Sequence, residues 1–172
     1  MRPAYQSFTT TGELLDHLQA LAVRTVVVDV EPLIAFWDTD DRTLAQGVAR
    51  FLAELGSRPG RLQVIVFATN SARDRPVPTR AGAFEVRYLA HAGKPLRTSP
   101  YRRLPLPGAV VGDQIATDGI LARRLRYAFL HYTHRPPRTP LGPRMMQALG
   151  RPFSRFLFSR DIQRPRRITP GR

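Results

Sequence analysis

Three apolar runs in this chain of 172 residues lead directly into carboxylates, a hydroxyl or an amide. Val26-Val27-Val28 runs into Asp29 and Glu31, Leu62–Ala68 into Thr69-Asn70-Ser71, and Val110-Val111-Gly112 into Asp113, with Asp118 close behind. A shorter run, Phe84–Leu89, is followed within a few residues by Lys94. Hard oxygen donors, a hydroxyl with an amide, and an ammonium form a set that holds a divalent cation beside a phosphoryl group. A lone carboxylate at a buried strand end is costly unless it is paired or metal-bound. Carboxylates from separate segments therefore point to a metal more than to scattered helix caps.

These residues need elements that bring their segments to one edge. Thr10-Thr11-Gly12-Glu13 has the form of a capping box, and Leu14, Leu15, Leu18 and Leu21 make an apolar stripe, which predicts a helix over Thr11–Val23. Thr25–Val30 is β-branched and almost continuously apolar, the pattern of a strand buried on both faces of a parallel sheet. Leu44, Val48, Phe51, Leu52 and Leu55 recur at helical spacing and stop at Gly56, predicting a helix over Arg42–Leu55. Further strands are expected at Leu62–Ala68, Phe84–Leu89, Ala109–Val111 and Tyr127–His131, the last after a helix near Thr117–Arg126. Alternating strands and helices imply an α/β fold, a parallel sheet with flanking helices and right-handed crossovers. Ligands bind outside the carboxyl ends of such strands, which is where the candidate residues fall. The connections are short, so no inserted cap domain is expected.

Composition narrows the chemistry. At 42% hydrophobic and 23% charged, the chain is globular and long enough for one proper core. The absence of cysteine excludes disulfides, thiolate zinc sites, iron–sulfur clusters and cysteine nucleophiles. No apolar stretch approaches the ~20 residues that span a bilayer, so no integral membrane segment is expected. Met1–Gln6 lacks the apolar core of a signal peptide, which implies a cytoplasmic protein. The net charge of +14 is uneven: up to Asp118 there are 14 basic and 12 acidic residues, and beyond it 13 arginines against Asp161 alone. The expected organisation is an α/β core at 1–135 and an Arg/Pro-rich basic extension at 136–172. There are 26 arginines and one lysine, Lys94. A GC-rich coding bias produces such a preference but not the asymmetry.

The block Val26–Asp38, with its hydrophobic strand, acidic pair in DxD spacing and later Trp37-Asp38, resembles the first motif of the haloacid dehalogenase (HAD) superfamily of phosphatases. Val110–Gly119 is similar to that superfamily's fourth motif in the form GDQxxTD, Lys94-Pro95 to the third, and Thr69-Asn70-Ser71 to the second. Within the superfamily the pattern resembles the YqeG-type, subfamily IIIA group related to phosphatidylglycerophosphate phosphatases. The resemblance covers most of 26–132 and implies a Rossmann-like HAD fold without a cap and a Mg²⁺-dependent phosphomonoester hydrolase. It implies that Asp29 is the nucleophile, forming an aspartyl-phosphate that water hydrolyses. Lys94 would neutralise Asp29 and the phosphoryl oxygens, and Thr69 with Asn70 would bind the phosphate. Mg²⁺ would be held by Asp29, the main-chain carbonyl of Glu31 and Asp113, with Asp118 in support. The pattern departs from the family at Glu31, where aspartate is usual for the general acid and base, and at Leu33, where threonine is usual. A glutamate carries its carboxyl more than an ångström further out, a misplacement that can cost ~100-fold in rate. An altered or impaired turnover over an intact phosphate and metal site is therefore the alternative.

Other residues have plainer readings. Thr69-Asn70 also suits a turn, and Asp118 a helix N-cap. Asp38, Asp40 and Asp41 suit the cap and first turn of the helix that follows them. The four histidines, His17, His91, His131 and His134, have no ligand spacing, and only His91 falls near the expected site. Trp37 is expected to pack over the site entrance. Beyond the core, Arg151–Arg167 interleaves arginines with Phe153, Phe156, Leu157 and Phe158. This composition suits peripheral binding at an anionic membrane surface, on its inner face, and the open, uncapped site that the resemblance implies suits a large or surface-bound phosphoester such as a lipid phosphate. It also suits nucleic acid, making a polyanion-binding protein a further alternative, although no nucleic-acid module is present. The bland alternative has the aromatic residues folding back onto the domain.

Overall fold

The structure, a computed structural model, describes residues 3–37, 39–72 and 77–133, together with Met145, Leu157 and Phe158. In chain order the elements are β1 (Tyr5–Phe8), α1 (Thr11–Ala20), β2 (Thr25–Asp29), α2 (Asp41–Gly56), β3 (Val64–Ala68), β4 (Arg80–Ala81), β5 (Phe84–Leu89), β6 (Gly108–Gly112), α3 (Ile120–Leu125) and β7 (Ala128–Tyr132). A 3₁₀ turn at Ser99–Tyr101 and a π-helical turn at Ile115–Gly119 complete them.

Local chemistry accounts for the element ends. The Thr10 hydroxyl accepts from the Glu13 amide at 3.4 Å to start α1. That helix stops at Ala20, short of the expected Val23, and Ala22 turns into the left-handed region at φ 51°. Asp40 caps α2 by accepting from the Thr43 amide at 2.7 Å, and Asp41 lies in its first turn, as expected of this acidic cluster; Asp38 lies outside the described residues. The helix expected near Thr117–Arg126 is divided, its first turn π-helical, and it ends where Arg126 adopts φ 59°.

One seven-stranded sheet runs in the order β1-β7-β6-β2-β3-β5-β4, parallel throughout except for β4 against β5. Every residue of β2, β3 and β6 is buried, so the continuous apolar runs are the central strands. Successive side chains point to opposite faces. Val26, Val28, Ile65 and Phe67 pack on one face with Leu14, Leu15 and Leu18 of α1 and Val48, Phe51 and Leu55 of α2. Val27, Val64, Val66, Val110 and Phe129 pack on the other with Leu121 and Ala122 of α3 and with Tyr101. The two outermost strands, β1 and β4, are not marked by the apolar pattern, because their pairing comes from the unfilled edge of a neighbour.

Most of the basic extension, including Phe153, Phe156 and the arginines of Arg151–Arg167, lies outside the described residues. Phe158 returns to the core, 3% exposed, with its ring 5.4 Å from that of Tyr5 and 5.3 Å from that of Phe129. An Arg123 guanidinium nitrogen donates to the Leu157 carbonyl at 3.0 Å. Among the described residues no helix is long and apolar enough to cross a membrane. Phe158→Ala is expected to lower the unfolding free energy by about 3 kcal/mol through the lost packing and the cavity left behind. A urea midpoint equal to that of the wild type would show that the aromatic ring does not dock in solution.

Candidate functional site

From β2 the chain proceeds to β3 and β5 on one side, then crosses back to β6 on the other. The loops leaving β2 and β6 therefore diverge, and a crevice opens at their carboxyl ends. Asp29 is the last residue of β2, Asp113 follows β6 directly, Thr69 follows β3, and Lys94 lies in the loop after β5. Asp118 belongs to the π-helical turn, where its carboxyl group faces Gly112; a Cβ at 112 would collide with it.

Lys94 joins these segments. Its Nζ lies 2.7 Å from Asp29 Oδ1 and 2.8 Å from Asp118 Oδ1, and all three side chains are buried. The Asp118 Oδ2 accepts from the Gln114 amide at 3.3 Å and the Thr117 hydroxyl at 3.4 Å. Asp118 thus anchors the lysine rather than capping α3, whose N-cap is Gly119. Asn70 fixes the lysine's backbone: its Oδ1 accepts from the Lys94 amide at 2.8 Å and its Nδ2 donates to the Lys94 carbonyl at 3.0 Å. Asn70, expected beside Thr69 at the phosphate, uses its side chain to position Lys94.

Asp29, Asp113 and Asp118 each offer a carboxylate oxygen within 4.8 Å of the others. Burial pushes the Asp29 carboxyl well above its ordinary range, the neighbouring Asp118 and Asp113 charges add to this, and Lys94 opposes it. Burial opposes the charge on Lys94, but Asp118 and Asp29 outweigh it and the net shift is upward. Three clustered carboxyl groups beside one ammonium present a set of oxygen-only donors. That donor set fits a hard divalent cation such as Mg²⁺.

The Glu31 side chain stands apart from this group. The Thr69 hydroxyl donates to its carboxylate, at 2.9 and 3.1 Å from the two oxygens, and itself accepts from the Ser71 amide at 3.0 Å. The Ser71 contact is the turn expected of Thr69-Asn70. Burial raises the Glu31 pKa, and the Thr69 hydrogen bond and the Lys94 charge partly offset that shift. The structure therefore brings Asp29, Lys94, Asp113 and Asp118 together, with Thr69 and Glu31 as a second pair beside them.

Two features are not marked in the sequence. Tyr101 is buried, its hydroxyl has no hydrogen-bond partner, and its pKa is pushed up to about 12 by burial, with Lys94, Asp118 and Asp29 close enough to act on it. His131, in β7, places Nε2 3.1 Å from the Asp113 carbonyl and Nδ1 2.8 Å from the Tyr5 hydroxyl. A carbonyl only accepts, so Nε2 carries the proton and Nδ1 accepts from Tyr5. Burial lowers the His131 pKa, in keeping with that neutral form. The expectation that only His91 falls near the site is thereby corrected: β7 is buried continuously from Phe129 to Tyr132, so no alternation in the sequence singles out His131.

No family model, curated protein or solved structure matches the chain.

Asp29→Asn removes one carboxyl group from the buried cluster. In EDTA at neutral pH the variant is expected to be more stable than the wild type, with the difference closing as pH falls into the ordinary carboxylate range. A carboxyl whose folded pKa is raised keeps its proton longer in the folded state, so wild-type stability declines as pH rises through that interval. Mg²⁺ should then raise the wild-type urea midpoint more than the variant's. An equal response in both would remove Asp29 from the metal site.

Proposed function

We propose that the chain is a Mg²⁺-dependent phosphomonoester hydrolase of the HAD type, in the uncapped subfamily IIIA manner, with Asp29 as nucleophile. The observation that carries this reading is the buried Lys94 ammonium held between Asp29 and Asp118 at the crevice between β2 and β6. The uncapped form is supported by the β2–α2 connection, 30–40, whose described residues contain no helix or strand.

In this reading Asp29 Oδ attacks phosphorus in line, the ester P–O bond breaks, and an aspartyl-phosphate forms. Glu31, whose burial favours its protonated state, gives the proton to the departing alkoxide. The resulting Glu31 carboxylate then takes a proton from the water that attacks the aspartyl-phosphate, releasing orthophosphate and restoring Asp29. Lys94 holds Asp29 in place and balances charge as the phosphoryl oxygens approach. Thr69 would exchange its hydrogen bond from Glu31 to a phosphoryl oxygen. Asp29 and Asp113 would hold Mg²⁺ with Asp118 alongside, and the metal when bound supplies positive charge between the nucleophile and the phosphoryl group.

A second reading is a phosphate- or metal-binding protein with impaired turnover. It is favoured by the Glu31–Thr69 hydrogen bond, which engages both the acid/base candidate and the phosphate-binding hydroxyl with each other.

Asp29→Asn is expected to abolish Mg²⁺-dependent phosphate release from an aryl phosphate. Lys94→Arg is expected to reduce it by about 100-fold, because a planar guanidinium cannot replace a compact ammonium between two carboxylates. Glu31→Asp should raise turnover if the longer side chain limits the proton transfers. Absence of phosphate release from both the wild type and Glu31→Asp would sink the hydrolase reading in favour of the binding protein.

A further inference from the structure

A cavity of about 740 Å³ lies at the carboxyl end of β5, lined in part by Tyr88, His91, Arg97 and Ser99. Its size is that of a small-molecule site, ~300–1,000 Å³. Ala72 and Ala92 also line it, joining it to the loops that carry Thr69 and Lys94. Those loops are bonded to each other, with the Ala92 amide donating to the Thr69 carbonyl at 2.9 Å and the His91 amide to the Ser71 carbonyl at 3.0 Å. β2, which ends at Asp29, is separated from β5 only by β3. At ordinary strand spacing the ends of β2 and β5 are therefore about 10 Å apart.

The cavity carries a cation. The Leu96 and Arg97 amides both donate to the Gly93 carbonyl at 2.9 Å, closing a tight turn. Gly93 adopts φ +65°, and a Cβ there would lie 2.9 Å from the Arg97 Cβ, so glycine lets the arginine stem lie against the loop. An Arg97 guanidinium nitrogen lies 3.5 Å from the His91 carbonyl. Arg97 is exposed and forms no ion pair with a carboxylate among the described residues. None of the cavity's described lining residues is acidic.

We infer that this cavity receives a second anionic group, carboxylate or phosphate, carried on the leaving-group side of the phosphomonoester, with Arg97 and His91 recognising it. The inference rests on the phosphatase reading for the position of the first phosphoryl group. The guanidinium and imidazole N–H groups give charge-assisted hydrogen bonds to an anion that an uncharged alcohol cannot supply. The span from Asp29 to β5 sets the distance between the two anionic ends. A plain alkyl phosphate would engage only the Asp29 end.

Binding of non-hydrolysable probes tests this without turnover. Calorimetric titration of the full chain with Mg²⁺ would compare hexylphosphonate, phosphonoheptanoate and hexamethylene bisphosphonate. The two bifunctional probes should bind about tenfold more tightly than hexylphosphonate, and their order tells carboxylate from phosphate. Arg97→Ala combined with His91→Ala should erase that advantage, and Arg97→Lys should retain most of it. Equal affinity of the three probes, no binding by any, or an advantage that survives the double substitution would overturn the inference. Orthophosphate competition against hexylphosphonate tests the phosphoryl site by itself. Competition without a second-anion advantage sinks the cavity alone, and hexylphosphonate binding without competition sinks the phosphoryl site. A second-anion advantage without competition places the anion elsewhere and overturns the bridging pose.

Discussion

The Lys94 ammonium is buried between Asp29 and Asp118, with Asp113 clustered beside those two carboxylates, and the carboxyl edge of the sheet is organised around that crowding of charge. Ions removed from water lose solvation worth several kcal/mol each, so they persist there only where geometry lets them compensate one another. Two of the carboxylates touch the ammonium, at 2.7 and 2.8 Å. The surrounding backbone is fitted to that arrangement: Asn70 grips both polar groups of the Lys94 backbone, and Gly112 leaves the space that Asp118 fills. In a chain with 26 arginines, the one lysine stands at this place. A compact ammonium on a flexible stem fits between two carboxylates where a wide planar fork would not.

A second chain of contacts reaches the site from the far edge of the sheet. Tyr5 of β1 donates to His131 of β7, whose other nitrogen holds the carbonyl of Asp113 after β6. Each strand in that sequence is neighbour to the next, so the short, largely polar β1 has a part in orienting a candidate metal ligand. Phe158, stacked on Tyr5 and Phe129, covers the same corner. The extension beyond the core thus packs behind the site through at least one aromatic ring.

What was legible in the sequence follows from where the energy lies. β2, β3 and β6 are buried on both faces and must be apolar at every turn of the pleat, so their runs stand out. Their ends placed Asp29, Thr69 and Asp113 correctly at one edge. β1 and β4 are held by a partner's backbone, and Tyr-Gln-Ser-Phe carries no alternation from which to read them. The π-helical turn was hidden because its wider backbone hydrogen bonding, with the Gly119 amide donating to the Gln114 carbonyl at 3.2 Å, leaves no periodic apolar pattern in so short a segment. Side-chain pairing was hidden for another reason: Asn70 with the Lys94 backbone, Glu31 with Thr69, and Tyr101 near the charged cluster all join segments distant in the chain.

The Glu31–Thr69 contact shows how the departure from aspartate acts. A hydroxyl has one proton to donate, and Thr69 directs it to Glu31. An anionic oxygen entering beside Thr69 competes for that proton, so under the phosphatase reading the Glu31 carboxylate occupies the role of a phosphoryl oxygen before substrate arrives. Displacing it would release Glu31 at the moment a proton donor is required, and burial already favours its protonated form. The longer side chain gives the carboxyl its reach to Thr69 and also increases the number of positions it can adopt once displaced. Ground-state order at Thr69 and precision at the leaving oxygen are therefore opposed through this one residue.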